Sequence, residues 1–183
     1  MKRGKTIFIV CHCLLNSNAK VYPLADTKGV YTDDLASLLQ NGVGLVQLPC
    51  PETCYLGMNR WGMTKEQYDH KAYRDFCKML LTPTMLQITA FAKEGYSISG
   101  VAGMDGSPNC GINTTCIGYC GGAICANNEK DLTKDFKTVA GRGLFIEIFA
   151  ELLRAEGIAP SFISLHHETT TLSDQTGDKI DEI

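Results

Sequence analysis

Three cysteines, each placed just after a short apolar run, are the residues of this sequence best suited to chemistry. They are Cys13, Cys50 and Cys110, and the runs before them are residues 6–10, 44–48 and 97–104. Thiolates bind soft metals and iron–sulfur clusters, and they also act as nucleophiles. Because the carboxyl ends of parallel strands lie along one edge of a sheet, we expect the three cysteines to form one site at that edge.

Strand-like apolar runs alternate with helical segments along the chain, and this alternation predicts the fold. Residues 6–10 are short, apolar and β-branched or aromatic, which is typical of a strand covered on both faces. A last strand is predicted at residues 161–165, ending at His166 and His167. The pattern predicts an α/β protein with a three-layer, mostly parallel, twisted sheet and helices on both faces, as in Rossmann-like folds. A length of 183 residues favours one domain, 1–183, with a frayed polar tail from about residue 169.

Capping residues and glycines delimit the predicted helices. Thr32 is a candidate N-cap for a helix that ends near Gly42. A capping box opens a helix over residues 64–81, and a Thr-Pro pair opens another over residues 82–93, with a single kinked helix as the alternative. The clearest helix follows Gly141-Arg-Gly143 and ends before Gly157.

The remaining segments are predicted to be mostly irregular. Residues 11–31 and 49–63 form long loops, and long loops in compact domains are often functional. A short strand is predicted near residues 122–126, followed by a surface connection over residues 127–137.

The composition favours a cytoplasmic protein that acts on a small molecule. The net charge of −3, with no basic arm, argues against nucleic-acid binding. No apolar stretch is long enough for a signal peptide or a membrane span. Nine cysteines form an odd set that does not suit a closed disulfide framework, and most are expected to be buried thiols, Cys77 among them. The sequence leaves the oligomeric state open.

Two other motifs are weaker signals. Cys50-x-x-x-Cys54 and Cys116-x-x-x-Cys120 lack the C-x-x-C spacing of zinc ribbons and thioredoxin-like sites. Gly141-Arg-Gly143 lacks the third glycine of a dinucleotide-binding fingerprint, so we interpret it as a helix start.

Taken together, the motifs around the three cysteines resemble those of a known family. Cys13-Leu-Leu15, Cys50-Pro-Glu52 and Gly106-Ser-Pro-Asn-Cys-Gly111 are similar, in this order, to three signature motifs of the thiouracil desulfidase (TudS-like, DUF523) family. Gly141-Arg-Gly-Leu144, with the helix behind it, is similar to the family's last conserved block. The resemblance covers roughly residues 6–165.

The resemblance implies a [4Fe-4S] cluster held by Cys13, Cys50 and Cys110, with one iron left open. Four thiolates hold an electron-transfer cluster, whereas three leave an iron that can act as a Lewis acid toward a substrate. Iron is thiophilic, so a small thiolated compound is the expected substrate and hydrolytic desulfidation the expected reaction. By position, Glu52 is the expected general acid/base, and Ser107 is expected to orient water or substrate.

The sequence also departs from the family pattern, and alternatives stay open. The first motif continues as Asn16-Ser-Asn-Ala-Lys-Val-Tyr22 instead of an Arg-Tyr-Asp-Gly-like run, and the second lacks the usual glycines. The chain therefore resembles a TudS-related branch, and the resemblance does not extend to thiouracil as its substrate. One alternative is a non-catalytic Fe–S carrier or sensor with a fourth ligand from Cys11 or Cys54. Another is a metal-free cysteine-nucleophile enzyme, with a histidine as its base: His12, His166 or His167.

Overall fold

The computed structural model describes residues 3–119 and 136–166, and its centre is a four-stranded parallel sheet. The strands have the order β2-β1-β3-β6, and every neighbouring pair is parallel. Their bounds are β1 Thr6–Val10, β2 Gly44–Gln47, β3 Ser97–Met104 and β6 Ser161–His166. The predicted α/β fold with a mostly parallel sheet is confirmed.

Within the described residues, six α-helices lie around the sheet, and a 3₁₀ turn covers Ser17–Ala19. Their bounds are α1 His12–Leu15, α2 Thr32–Gln40, α3 Pro51–Leu56, α4 Lys65–Tyr68, α5 Lys71–Lys93 and α6 Leu144–Ala155. From β1 the chain moves to β2 at one edge of the sheet, and from there it moves toward the opposite edge, to β3 and then β6. With the usual right-handed crossovers, we expect α2 on one face and α5 and α6 on the other, and α5 and α6 do pack against each other. No helix in the described part of the chain is both long and apolar enough to cross a bilayer.

The core lies on both faces of β1 and along one stripe of α6. Residues 7–10 of β1 are all buried, as expected for a strand covered on both faces. Leu144, Ile148 and Phe149 recur at helical spacing in α6 and are fully buried. Cys77 is fully buried inside α5, which confirms its assignment to the core.

Two of the predicted loops contain short helices. The segment expected to be a loop over residues 11–31 begins with α1 and the 3₁₀ turn, and the one over residues 49–63 contains α3. Pro51 occupies the first turn of α3, where its missing N–H costs nothing, but six residues are too few for a periodic signal.

The prediction of separate helices over residues 64–81 and 82–93 was wrong. The capping box is present, since the Thr64 amide donates to Gln67 Oε1 at 2.9 Å, but the helix it opens ends at Tyr68. The His70 ring then caps α5, which continues through Pro83 to Lys93. Buried residues on both sides of Pro83, Leu81 before it and Ile88 after it, keep α5 continuous. The alternative of a single helix through the proline therefore describes this region better.

A two-stranded antiparallel sheet, absent from the sequence prediction, lies beside the main one. It pairs β4 Thr114–Ile117 with β5 Lys137–Ala140. The strand predicted near residues 122–126, most of the 127–137 connection and the tail from residue 169 lie outside the described residues.

Candidate functional site

Cys13, Cys50 and Cys110 line one cavity of about 230 Å³ at the carboxyl edge of the parallel sheet. β1 and β3 are neighbours there, and the chain leaves them toward opposite ends of the sheet. Crevices at such a switch in strand order are the usual ligand sites of open α/β sheets. The structure therefore brings together the three cysteines that the sequence singled out.

Cys13 is carried by the short helix that directly follows β1. The Cys11 amide donates to Ala102 O at 2.9 Å, which extends the pairing of β1 with β3 by one residue before α1 begins. Leu14 is fully buried under α1 and anchors this turn. The cysteine that follows the strand is thus fixed by the sheet itself.

Cys50 caps the N-terminus of α3. Its sulfur accepts a hydrogen bond from the Thr53 amide at 3.5 Å, and Pro51 and Glu52 form the first turn of the helix. A helix N-terminus favours negative charge, so this position suits a thiolate. The same turn directs Glu52 into the cavity wall.

Cys110 lies in a tight turn after β3 that is stabilised by its own side chains. Ser107 Oγ accepts the amide protons of Cys110 at 2.9 Å and Asn109 at 3.3 Å. Asp105 Oδ1 accepts the amides of Ile112, Asn113 and Thr114. Burial acts against the Asp105 charge, but these amides outweigh it and hold its pKa below the usual range.

Two glycines let this turn pack closely against the rest of the fold. A Cβ on Gly103 would lie 2.3 Å from Cys110 O, and a Cβ on Gly143 would lie 2.4 Å from the Asn109 carbonyl carbon. The first amides of α6 donate back to the turn, from Leu144 to Pro108 O at 2.8 Å and from Ile146 to Asn109 O at 3.1 Å. The Gly141-Arg-Gly143 motif therefore seats a helix start against the Cys110 turn.

The Cys11, Cys13 and Cys110 thiols lie close to one another, and interactions of hydrogen-bond type between them shift their pKa values. The interaction with Cys110, and then burial, raise the pKa of Cys13 well above its usual range, while nearby Lys20 opposes the rise. The interaction with Cys11 and burial raise the pKa of Cys110 in the same way, and burial raises that of Cys50. Without a cation to bind, these cysteines are neutral thiols.

Glu52 stands at the centre of a polar network beside the cysteines. Its Oε2 pairs with Arg60 Nε at 3.2 Å, and its Oε1 accepts from Asn109 Nδ2 at 3.0 Å. Asn109 Oδ1 in turn accepts the Tyr73 hydroxyl at 3.0 Å, and Arg60 also donates to the carbonyl of Ala19. The Glu52 and Arg60 side chains are 14% and 3% exposed, so the pair is nearly buried. The network joins the three segments that carry Cys13, Cys50 and Cys110.

Ser107 lines the cavity as expected, but its oxygen is engaged in the turn described above. The hydroxyl proton stays available, because an oxygen that accepts amide protons can still donate. The structure thus gives Ser107 a structural task and leaves its expected role toward substrate a prediction.

Lys20 is a second cation of the cavity that the sequence did not single out. Its Nζ lies 3.1 Å from the Tyr31 hydroxyl and 3.5 Å from Asp26 Oδ1, and its side chain is 11% exposed. Tyr31 donates to Asp26, which completes a small cluster. Nothing in the local sequence signals this arrangement, because it depends on how the 16–31 segment folds back.

The rest of the lining is mainly apolar and forms one side of the mouth. It includes Val21, Leu24, Met63 and Phe136. Leu24 and Phe136 are exposed, and Tyr22 and Trp61, next to lining residues, are even more so. An apolar cavity with a few convergent polar groups is the usual form of a small-molecule site.

The remaining candidate residues are distributed as follows. Cys116 lines the cavity from β4, with its sulfur 3.8 Å from Met63 O, whereas Cys11 is fully buried and Cys54 is exposed. His12 hydrogen-bonds to Gln47 at 2.9 Å, and the described cavity lining does not include it. The following candidates lie outside the described residues or have no described side chain: Cys120, Cys125, His166 and His167.

The donor set fits a thiolate-bound iron–sulfur cluster. Three cysteine side chains from three strand ends face one cavity, and the Cys13 and Cys110 thiols lie close enough to shift each other's pKa. Over residues 3–119 and 136–166, no three His, Cys, Asp or Glu side chains are grouped as ligands of a single metal ion. A polynuclear cluster spans a wider set of ligands than a single ion, so Cys13, Cys50 and Cys110 remain the candidates to hold one.

Comparison with known proteins gives one informative relative. No family model matches this chain, and no solved structure matches it. The uncharacterized protein MJ0003 from Methanocaldococcus jannaschii is 42% identical over 110 residues, which are 60% of this chain and 70% of the relative. At that identity and coverage, the chain belongs to the same protein family as the uncharacterized protein MJ0003.

Proposed function

We propose that this protein is a desulfidase of the TudS-like kind, which removes sulfur hydrolytically from a small thiolated compound. The observation that carries the proposal is the meeting of Cys13, Cys50 and Cys110 in one cavity with Glu52 beside them. The motif resemblance supports the same assignment. The net reaction converts C=S and water into C=O and hydrogen sulfide, so it needs no oxidant or reductant.

Cys13, Cys50 and Cys110 are the residues that would hold a [4Fe-4S] cluster. When bound, such a cluster supplies a Lewis acid with affinity for sulfur, which polarises a thiocarbonyl group. The protein's own contribution is the placement of the three thiolates, the apolar cavity around them and the polar residues on its wall.

Glu52 is suited to take a proton from the attacking water. Each carboxylate oxygen accepts one protein hydrogen bond, from Asn109 or from Arg60, and keeps a lone pair for another. The two partners fix the orientation of the carboxylate, which is a requirement for efficient proton transfer. The Ser107 hydroxyl and the Lys20 ammonium are further donors in the cavity wall, available to the oxygen or sulfur of a substrate.

A cluster carrier with four cysteine ligands is the second candidate, and one observation favours it. Cys116 is a fourth thiol in the cavity lining, and the sequence analysis had named Cys11 and Cys54 for that place. A fourth ligand would close the cluster and leave no iron for substrate. The two candidates therefore differ in whether hydrosulfide or a substrate analogue can bind.

Anaerobic reconstitution followed by iron and sulfide analysis tests cluster binding. Replacing Cys13, Cys50 or Cys110 singly with Ser should remove most of the cluster, whereas Cys77→Ser, in the core of α5, is the matched control and should keep it. A Cys50→Ser protein with full iron and sulfide content would rule out this ligand set.

Hydrosulfide separates the enzyme from the carrier. In the desulfidase, added hydrosulfide should perturb the Mössbauer spectrum of one iron site, and Cys116→Ser, Cys11→Ser and Cys54→Ser should each retain the cluster. A spectrum indifferent to hydrosulfide, with cluster loss in Cys116→Ser, would identify the carrier. Hydrosulfide release from a panel of thiolated compounds then defines the substrate.

A further inference from the structure

Tyr68 carries a buried hydroxyl that has no hydrogen-bond partner among the described residues. The side chain is 1% exposed, and the hydroxyl is the buried side-chain polar atom left unsatisfied in the described part of the chain. An unsatisfied buried hydroxyl is costly, so such groups usually mark a missing water, a ligand or a functional contact.

The surroundings of this hydroxyl point to the candidate site. Burial raises the pKa of Tyr68, the nearby Glu52 carboxylate raises it further, and the Arg60 guanidinium opposes the rise. The Tyr68 ring packs on Tyr73, with centroids 4.8 Å apart, and the Tyr73 hydroxyl already belongs to the Glu52 network through Asn109. Tyr68 therefore packs against the Glu52 network, and it is not among the described residues that line the cavity.

The local fold explains why Tyr68 is held there. The capping box at Thr64 fixes the single turn of α4, and the His70 amide donates to Tyr68 O at 2.8 Å where the chain turns into α5. This break between α4 and α5, which the sequence pattern did not predict, directs the Tyr68 ring into the core beside Tyr73.

We propose that the Tyr68 hydroxyl is the third hydrogen-bond donor to the Glu52 carboxylate, directly or through one buried water, and that it positions Glu52. With Asn109, Arg60 and Tyr68 as donors, the carboxylate is held from three directions and presents its remaining lone pair to the cavity. The positioning role rests on the proposed function, whereas the hydrogen bond itself does not.

A double-mutant cycle on the cluster-free protein tests the hydrogen bond without any assay of activity. Tyr68→Phe should lower the urea midpoint of unfolding, as should Tyr73→Phe, which removes an observed bond and serves as the benchmark. In a Glu52→Ala background the effect of Tyr68→Phe should vanish or change sign, because the acceptor is gone. A Tyr68→Phe protein that is equally or more stable than the wild type, or an equal loss in both backgrounds, would overturn the proposal.

Steady-state kinetics of the cluster-loaded protein test the positioning role. Tyr68→Phe should lower kcat about tenfold, the kinetic equivalent of one hydrogen bond, and leave KM unchanged. A changed KM with unchanged kcat would refute the positioning of Glu52 by Tyr68, but it would not contradict the hydrogen bond between them. If the protein shows no turnover at all, the proposed function falls, and the unfolding cycle still decides the Tyr68–Glu52 bond.

Discussion

The turn after β3 and the segment after β1 both line the cavity, but they are built differently. The turn over residues 105–113 is fixed by Ser107 and Asp105, by the start of α6, and by glycines that permit backbone contact. The segment over residues 16–31 is closed on itself by hydrogen bonds, such as that of the Ser17 amide to Gly29 O, and presents exposed apolar residues to the mouth. We call the first region the floor and the second the rim.

The difference separates two tasks. Ligands of the proposed cluster would require fixed geometry, which backbone contacts give to the floor, whereas selection of the proposed substrate would tolerate change at exposed positions. The motifs that resemble the TudS-like family lie in the floor and at the strand ends. Of the two departures from the family pattern, the one over residues 16–22 lies in the rim and the other follows Cys50 in α3. We therefore expect variants of the floor to affect stability and chemistry, and variants of the rim to affect substrate binding.

The largest expected effect is the loss of turnover when Glu52, which lies beside the floor, is replaced. Glu52→Gln keeps the shape of the side chain and removes the proposed base, so turnover should fall by roughly 10²–10⁴-fold while iron and sulfide content stays unchanged. Glu147→Gln, which breaks an ion pair with Lys65 outside the cavity, is the control and should keep turnover. An unchanged rate in Glu52→Gln would move the role of base elsewhere, first to His166 or His167.

Gly143 and Gly29 give the sharpest test of the contrast in packing. A Cβ at Gly143 meets the Asn109 backbone at 2.4 Å, so Gly143→Ala should lower the free energy of unfolding by about 1–3 kcal/mol and reduce cluster content. A Cβ at Gly29, in the rim, meets nothing within 4 Å, so Gly29→Ala should stay within about 0.5 kcal/mol. Equal effects in denaturant titrations would refute the distinction between floor and rim.

Asp105 should make the stability of the floor depend on pH. The pKa of Asp105 is lower in the folded protein than in the unfolded chain. The carboxylate therefore contributes fully to the free energy of unfolding above about pH 4, and this contribution disappears as the pH falls through the folded-state pKa. Asp105→Asn should cost about 1 kcal/mol at neutral pH and flatten the loss of stability in acid. The free energy of unfolding of both proteins should be measured between about pH 6 and pH 2. If the two values fell in parallel with pH, the role of this carboxylate would be contradicted.

Replacing Leu24 in the rim should change stability least of all and should weaken substrate binding. Leu24→Ala should alter the free energy of unfolding by less than about 0.5 kcal/mol and raise KM roughly fivefold, since a bound substrate would cover part of the side chain. Leu86→Ala is the matched control, because Leu86 is similarly exposed on α5, at 68% against 62%. Identical KM values for the two variants would remove Leu24 from the substrate site.

Local pattern was sufficient for the parts of the molecule that follow strand and helix periodicity. The four strands of the parallel sheet, the buried stripe of α6 and the positions of the three cysteines after strands could be predicted, because each depends on a short stretch of chain. The placement of those cysteines at one edge follows from the parallel topology that the alternation implies.

The rest depended on contacts between distant segments. The antiparallel pair of β4 and β5 and the hydrogen bond of Glu52 to Asn109 join residues far apart in sequence. The break between α4 and α5 and the Glu52–Arg60 pair are local, but both depend on how the chain packs around them. No periodic pattern encodes such contacts, since they form only when the packed core brings the segments together. The sequence by itself thus determined which residues reach the site edge, and the tertiary structure alone decided what surrounds them, because burial and hydrogen-bond partners are properties of the packed chain.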